Sequence, residues 1–419
     1  MIGLADCNNF FVSCERTLDR SLENRAVVVL SNNDGCVVAR SNEAKRLGIR
    51  MGEPAFRIRD MIERGDVVAL SGNHMLYRDI SLRVHDIFRR YAPSTLDYSV
   101  DEAFLLMDGV PDRELAAIGE AIWQTCWEEE HIPVTVGFAP SKTLAKIATE
   151  VGKKGGRRVV VLDSGESCHA AFDRMPIGDL WGIGRRLAKR LYTMGVYTVG
   201  DFAARPLPWV RSRFGINGER SWRELHGQPC IELDFKERTL QDSISETRTF
   251  PEDVSDFDYL RARIAIYSAH VSKRLRAMGG ECAELGVFLQ TNRFHTERGY
   301  HSPSASCEFR PATSDAIAIT EAAVGLLERV FDPTLAYKRA GVWLSRITPA
   351  KEPELSLFQE DNECVFEKLR SRKLMSIVDE LNKGVGPHVV KLASQLIKGH
   401  PGHNDGYSSS FGAPLPDNG

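Results

Sequence analysis

What the 419-residue sequence lacks narrows it first. No apolar run approaches the roughly 18 residues needed to cross a bilayer. The opening "MIGLADCNNFF" has no basic segment of the kind that begins a secretory leader, so the expected location is the cytoplasm, away from membranes. The nine cysteines, at 7, 14, 36, 126, 168, 230, 282, 307 and 364, are odd in number, scattered and never spaced as C-x-x-C, which argues against both a disulfide framework and a zinc site. Positive charge is not in excess either. With 54 Lys and Arg against 57 Asp and Glu the net charge is -3, so any grip on nucleic acid must come from local basic faces. What remains is the composition of a globular protein, 42% hydrophobic and 26% charged, in a chain long enough for two to four domains.

Against that background the acids stand out. "IGLAD" (2–6) is a short apolar strand that ends on Asp6, and "TLDYSVDEAFLLMDG" (95–109) is rich in strand formers on both sides of Asp101 and Glu102. Successive strand residues point to opposite faces, so adjacent acids reach one site only where the chain bends, and a hairpin tip is expected there. An isolated Asp-Glu pair is most often a solvated turn; the second strand ending on Asp6 argues otherwise. If Asp6 lies beside the tip, three carboxylates share one small volume, and their repulsion raises their pKa values unless cations neutralise them. Hard oxygen donors without His or Cys nearby suit magnesium. Two such ions, about 3.5–4 Å apart, activate one oxygen and stabilise the leaving oxygen of a phosphoryl transfer.

Asp6 in "ADCNNFF", followed about a hundred residues later by "YSVDEAF", resembles the Y-family DNA polymerases, and within them the UmuC-type branch. "LSNNDGCVVARSNEAKRLGI" (30–49), "SKTLAKIA" (141–148) and "DLWGIGRRLAKRL" (179–191) extend the match, in order, to about residue 350, with a weaker tail to about 395. The resemblance implies metal ligands at Asp6, Asp101 and Glu102 and at the backbone carbonyl of Cys7, holding two Mg2+ ions. It places Phe10 and Phe11 at the nucleotide, with Phe11 where an aromatic ring rejects a ribose 2′-hydroxyl; Phe stands there where Tyr is usual. Triphosphate contacts fall on Lys45 and on a Lys after the "AKIA" helix, which in "GKKGG" (152–156) is Lys153 or its neighbour Lys154; Asn42 occupies the position of a Tyr that some relatives use. Positioning and charge neutralisation are nearly all that phosphoryl transfer asks of such residues. The implied activity is template-directed, error-prone translesion synthesis in DNA repair and damage-induced (SOS) mutagenesis. It uses dNTPs and primer-template DNA, with a sliding clamp, a UmuD-like subunit and a RecA filament as partners.

The expected architecture is α+β and multidomain, a right-hand polymerase. Its palm covers residues 1–30 and 71–170, small fingers 31–70, a helix-hairpin-helix thumb 171–235, an α+β little finger 240–348, and a tail 349–419. About forty residues separate the strand "AVVVLS" (26–31) from a helix starting near Asn73, and they hold Arg40, Lys45, Arg46, Arg50, Arg57 and Arg59. Fingers this small cover a nucleotide but have little material to clamp and inspect a base pair. Helices at 73–91 and 113–130, a strand at 133–139 and a helix from Ser141 alternate as a palm should. In "WGIGRRLAKRL", Gly182 and Gly184 allow a tight turn whose N–H groups, beside Arg185, Arg186, Lys189 and Arg190, suit a DNA phosphate. A second basic hairpin is expected around "FGING" (214–218), with Arg211, Arg213, Arg220 and Arg223. The little finger reads as helix 257–278, strands 284–292 and 304–309, helix 313–331 and strand 339–348, with Arg293, His295 and Arg298 in a loop that would grip duplex DNA. In the tail, "ELSLF" (354–358) resembles a clamp-binding peptide, with Leu355, Leu357 and Phe358 as anchors and Glu354 where Gln is usual. An amphipathic helix follows at 363–382, and composition predicts disorder from His400. Two other readings are a nucleotide cyclase, which would have no duplex for a thumb and little finger to hold, and a catalytically silent DNA- or clamp-binding scaffold, which would have no need of Asp6, Asp101 and Glu102.

Overall fold

β1 (Ile2–Cys7) is apolar for four residues and buried along five, because it runs through the middle of a sheet covered on both faces. In this computed structural model the described residues are 1–31, 34–163, 166–231, 240–294, 299–350, 359–384 and 390. They form two compact units, divided between residues 236 and 237. After β1 the first unit continues through α1 (Phe10–Leu18), β2 (Val27–Leu30), β3 (Val37–Arg40), α2 (Asn42–Arg46), α3 (Arg59–Glu63), β4 (Val68–Ser71) and α4 (His74–Tyr91). It goes on with β5 (Ser94–Asp97), β6 (Glu102–Leu106), α5 (Asp112–Glu130), β7 (Val134–Ala139), α6 (Lys142–Gly155), β8 (Val159–Val161) and α7 (Glu166–Arg174). Three helices close it: α8 (Arg185–Tyr192), α9 (Val199–Ala203) and α10 (Leu207–Leu225).

Five of these strands form one sheet in the order β5-β6-β1-β7-β8. Alternation along β1 and β6 sorts their side chains: Ala5, Ala103 and Leu105 join a core with α4 and α5, whereas Leu4 and Phe104 join a second core with α6 and the helices after it. Asp6 and Glu102 follow that second alternation and so face α6. A separate three-stranded sheet, β3-β2-β4, carries the short helices α2 and α3. β2, expected with the palm strands, belongs here instead, because its backbone pairs with β3 and β4 along its length.

The second unit is α+β: β9 (Ser243–Val254), α11 (Phe257–Ala277), β10 (Gly280–Thr291), β11 (Ser304–Thr313), α12 (Ala316–Val330), β12 (Tyr337–Pro349) and α13 (Gln359–Gly384). Its antiparallel sheet, β11-β10-β12-β9, packs Leu285, Val287, Leu289, Val342 and Leu344 against Leu260, Ile264, Ile319 and Leu327 of α11 and α12. α13 is anchored to this unit rather than standing apart as a tail: Arg276 pairs with Asp379 at 2.7 Å, Arg372 with Glu281 at 2.7 Å, and Met375 is buried. No disulfide joins the eight cysteines whose side chains are described, and five of them are buried. Among the described residues no helix is long and apolar enough to cross a membrane.

One buried acid ties α10 to the start of α6. Glu224 is 0% exposed. One carboxylate oxygen accepts the Thr143 N–H at 2.9 Å; the other accepts those of Cys230 at 2.9 Å and Ile231 at 3.2 Å. The Glu224 carbonyl accepts from Ser141 Oγ at 2.7 Å, and Ser141 in turn caps α6 through the Leu144 N–H. A carboxylate at a helix N-terminus is favoured by the helix dipole, and here it also satisfies three backbone donors. Glu224→Ala should therefore lower unfolding free energy by about 3 kcal/mol or more, read as a drop in urea midpoint, because those donors lose their acceptor; Glu224→Gln, which keeps an oxygen, should lose less.

Candidate active site

The tip between β5 and β6 is the bend that brings adjacent acids to the end of β1. Tyr98 and Ser99 both donate their N–H to the Glu102 carbonyl, at 3.0 and 3.1 Å, and the Cys7 N–H donates to the Asp101 carbonyl at 2.9 Å. Antiparallel register sets Asp6 directly opposite Glu102, as Leu4 is opposite Phe104. Directly opposed residues share a face of the sheet, so the two carboxylates point the same way. Asp101 sits in the bend itself, its carboxylate accepting from Ser99 Oγ at 2.6 Å.

α6 lies over that face, pressed close by small residues: a Cβ on Gly137 would collide with the Thr149 backbone, and one on Gly152 with the Thr135 side chain. The helix aims two lysines at the acids. Lys153 Nζ lies 2.5 Å from Asp6 Oδ2, and Lys146 Nζ lies 3.1 and 3.0 Å from the two oxygens of Glu102. Seven residues apart, these lysines share one helix face. Lys146 also stands 4.5 Å above the Tyr98 ring, whose hydroxyl accepts from Trp181 Nε1 at 3.1 Å. Lys154 turns away to Glu150 and Asp179, at 3.2 and 3.3 Å, so of the two lysines in "GKKGG" it is Lys153 that reaches the acids.

Asp6 is 6% exposed. Burial pushes its pKa up to about 7; the Lys153 ammonium pulls it down and neighbouring Glu102 pushes it up. Asp6 and Glu102 open onto a cavity of about 210 Å³, lined also by Lys146, Glu150, Asp179 and Trp181. The three expected metal ligands are thus brought to one end of the sheet, but not as one crowded cluster. Among the described residues no three His, Cys, Asp or Glu side chains are gathered closely enough to hold a cation as they stand. Lysines partner two of the carboxylates and a serine partners the third. The donor set nevertheless fits magnesium: hard oxygens only, one of them on a buried carboxylate that already draws a cation to itself.

Beyond the acids, α1 begins at Phe10, and the two phenylalanines part company. Phe10, expected at the nucleotide, is 3% exposed and packs in the core on the α4 side. Phe11 is half-buried and stacks on Tyr77, with ring centroids 4.3 Å apart and planes within 13°. Tyr77 is fixed in turn by donating its hydroxyl to buried Glu15, at 2.6 Å. Lys45 Nζ is held by Asn9 Oδ1 at 2.6 Å and Asn42 Oδ1 at 3.2 Å. Its pKa is lowered, by burial first and then by the positive charges of Arg40 and Lys153, while Asp6 acts the other way. Lys45, Lys153 and Asp6 therefore share one electrostatic neighbourhood.

The remaining expected residues scatter. Gly182 adopts φ +89°, a conformation glycine takes freely, and Gly184 caps α8, whose Arg185, Arg186, Lys189 and Arg190 are all exposed. A turn at Gly215 breaks α10 in two, at φ 65° and ψ -157°, but this second hairpin is less basic than expected: Arg211 and Arg223 both pair with Glu219. Arg293 is exposed and leans on Tyr300, whereas His295 and Arg298 lie outside the described residues, as do Leu355, Leu357 and Phe358 of "ELSLF". Lys146, Asn9 and Tyr77 were not singled out in the sequence. The one available signal was the spacing of Lys146 and Lys153 on a single helix face.

With the geometry in hand, comparison with known proteins is informative. The pattern of the impB/mucB/samB family matches residues 5–150, and that of its C-terminal domain matches 241–357. Protein UmuC of Salmonella typhimurium is 36% identical, over 94% of this chain and 93% of its own length. DNA polymerase IV of Moorella thermoacetica is 29% identical, over 94% of this chain and 96% of its own. Among solved structures, the Y-family DNA polymerase chimera Dbh-Dpo4(243-245)-Dbh is similar with a TM-score of 0.68 at 22% identity, covering 83% of this chain and 100% of its own.

The acid beneath Tyr77 provides a test by pH. Burial raises the Glu15 pKa, only partly offset by the Tyr77 hydroxyl. A carboxyl whose pKa is raised on folding stabilises the protein fully only below its unfolded value of 4.5, and loses that contribution as pH rises through the folded value. Glu15→Gln should thus raise the melting temperature at neutral pH, and the gain should vanish as pH falls below 4.5. A gain that persists in acid would mean that Glu15 acts through packing instead of charge.

Proposed function

The chain belongs to the impB/mucB/samB family of Y-family DNA polymerases, and from that premise we propose that Asp6, Asp101 and Glu102 are the metal-binding carboxylates of an error-prone, translesion DNA polymerase. The activity is template-directed transfer of nucleotides from dNTPs to a primer 3′-hydroxyl, in DNA repair and damage-induced (SOS) mutagenesis. The observation that carries the assignment is the pairing of Asp6 with Glu102 beneath two lysine ammonium groups, a carboxylate site already arranged around positive charge.

Y-family polymerases use divalent cations, and two magnesium ions held by Asp6, Asp101, Glu102 and the Cys7 carbonyl would activate the 3′-hydroxyl and stabilise the leaving oxygen. The chain's own residues do the rest. Lys153 and Lys146 pair with Asp6 and Glu102 and, with their ammonium groups part-exposed, are free to swing to a triphosphate. Lys45, steered by Asn9 and Asn42, supplies positive charge on the same side. Phe11, backed by Tyr77, puts a fixed ring where a ribose 2′-hydroxyl would have to sit. The N–H groups around Gly182 and Gly184, with Arg185 and Arg186, hold a phosphate of the DNA. Leu355, Leu357 and Phe358 dock on a sliding clamp, and a UmuD-like subunit and a RecA filament join at the site of damage in the cytoplasm.

Two measurements test this reading. Extension of a labelled primer on damaged and undamaged templates with magnesium should fall roughly a hundredfold or more in Asp6→Asn and in Asp101→Asn. Extension that survives either change would remove that residue from the metal site. Separately, Phe11→Ala should raise ribonucleotide insertion relative to deoxyribonucleotide by roughly tenfold or more. Unchanged sugar selection would sink the steric role.

A further inference from the structure

The five-stranded sheet of the first unit ends on an edge that the carboxylate site does not use. β8 is the last strand in the order and pairs with β7 on one side only. In this parallel pair the Val136 N–H donates to the Arg158 carbonyl, and the Leu162 N–H to the Phe138 carbonyl, both at 2.8 Å. Alternation along the ladder turns the N–H and C=O of Val160 toward β7 as well, and leaves those of Val159 and Val161 pointing out of the sheet. Among the described residues no backbone group takes them up. Natural edges are commonly blunted by a charge, a proline or a bulge. The three residues of β8 are all valine, and Val161 is 37% exposed.

Beside this edge, among β8, the end of α6 and α7, lies a groove of about 510 Å³. Val160, Leu162 and Met175 form its buried, apolar part, while Lys154, Arg157 and Arg174 are exposed around it. Lys154 is held by Glu150 and Asp179, but Arg157 and Arg174 form no ion pair among the described residues. Each feature selects for something different. A free row of backbone groups takes another extended backbone, the apolar part takes aliphatic side chains at alternate positions, and two uncommitted guanidiniums take carboxylates. Nucleic acid would meet the arginines but has no amide ladder to lay against Val159 and Val161. A small anion would fill the groove and leave the edge unpaired.

We propose that β8 is a docking edge for an extended acidic segment of a partner protein, which adds to the sheet as a further strand, sets alternate apolar side chains beside Val160 and Leu162, and pairs its carboxylates with Arg157 and Arg174. The site is independent of the polymerase chemistry, and its test uses neither DNA, dNTPs nor magnesium. The probe is a fluorescein-labelled peptide of about eight residues, alternating glutamate and valine, whose anisotropy is followed as the full chain is added. Two controls accompany it: the same peptide N-methylated throughout, and one with lysine in place of glutamate. Saturable binding below about 1 mM is expected for the acidic peptide, with a loss of about tenfold or more for either control. Val161→Pro removes an N–H on the outer side, so pairing with β7 stays whole, and should weaken the acidic peptide about tenfold. The double change Arg157→Glu and Arg174→Glu should weaken it as much and strengthen the lysine peptide. Urea midpoints check that both variants fold; if Val161→Pro does not, the methylated peptide decides in its place. Binding retained by the methylated peptide, or by a folded Val161→Pro chain, would overturn strand addition and reduce the groove to a site for anions. No saturable binding would overturn the proposal outright. Self-association of the wild-type chain that Val161→Pro abolishes would put a second copy of this chain at the edge and overturn the partner.

Discussion

The pairing of β1 with β6 in one antiparallel register, Asp6 against Glu102, is the constraint on which the rest of the first unit turns. A buried carboxylate such as Asp6 costs several kcal/mol unless partnered. Here Lys153 partners it and Lys146 partners the part-exposed Glu102, two ammonium groups delivered by one helix lying across the same strand ends. Register cannot slip by one residue, because that would turn Leu4 and Phe104 out of the second core and send Asp6 to the opposite face. The close seat of α6 on Gly137, and the tie from Glu224 to the start of that helix, hold the lysines where the acids need them. An electrostatic requirement at the tip is thus met by packing that begins at α10.

The three-stranded layer is built with much less. Three short strands form the small sheet, two five-residue helices accompany it, and some of the apolar side chains of this layer are largely exposed: Phe56 is 74% exposed and Met51 58%. Clamping and inspecting a base pair needs closure over a well-packed surface, and such a layer supplies little of it. That sparseness accords with an error-prone polymerase, where tolerance of a distorted template matters more than discrimination. Phe11 is held more firmly, because Tyr77 stacks on its ring and is itself fixed by Glu15.

Much of this was legible in the chain. The bend at Asp101, the strand ending on Asp6, the run of helices and strands after residue 71, and the glycine turn before α8 all follow from period, bend and turn chemistry, which are local. Expectations failed or stayed open where the answer depended on residues distant in sequence. Phe10 and Phe11 read alike, yet one faces the core and the other Tyr77, because the rotation of α1 is set by its neighbours. Lys153 and Lys154 were indistinguishable until α6 was seated on its sheet. Arg211 and Arg223 are two of the four arginines expected in a second basic hairpin, but Glu219 pairs with both.

By itself, then, the sequence determined which chemistry was available: three carboxylates at strand ends, a basic turn and an aromatic beside the first acid. Those are properties of residue type and local backbone preference. Tertiary structure alone decided which charges meet, setting Asp6 against Lys153 and Glu102 against Lys146. Register and helix rotation decide such contacts, and both are fixed by how whole elements pack, since no single segment carries enough buried area to choose its own partner.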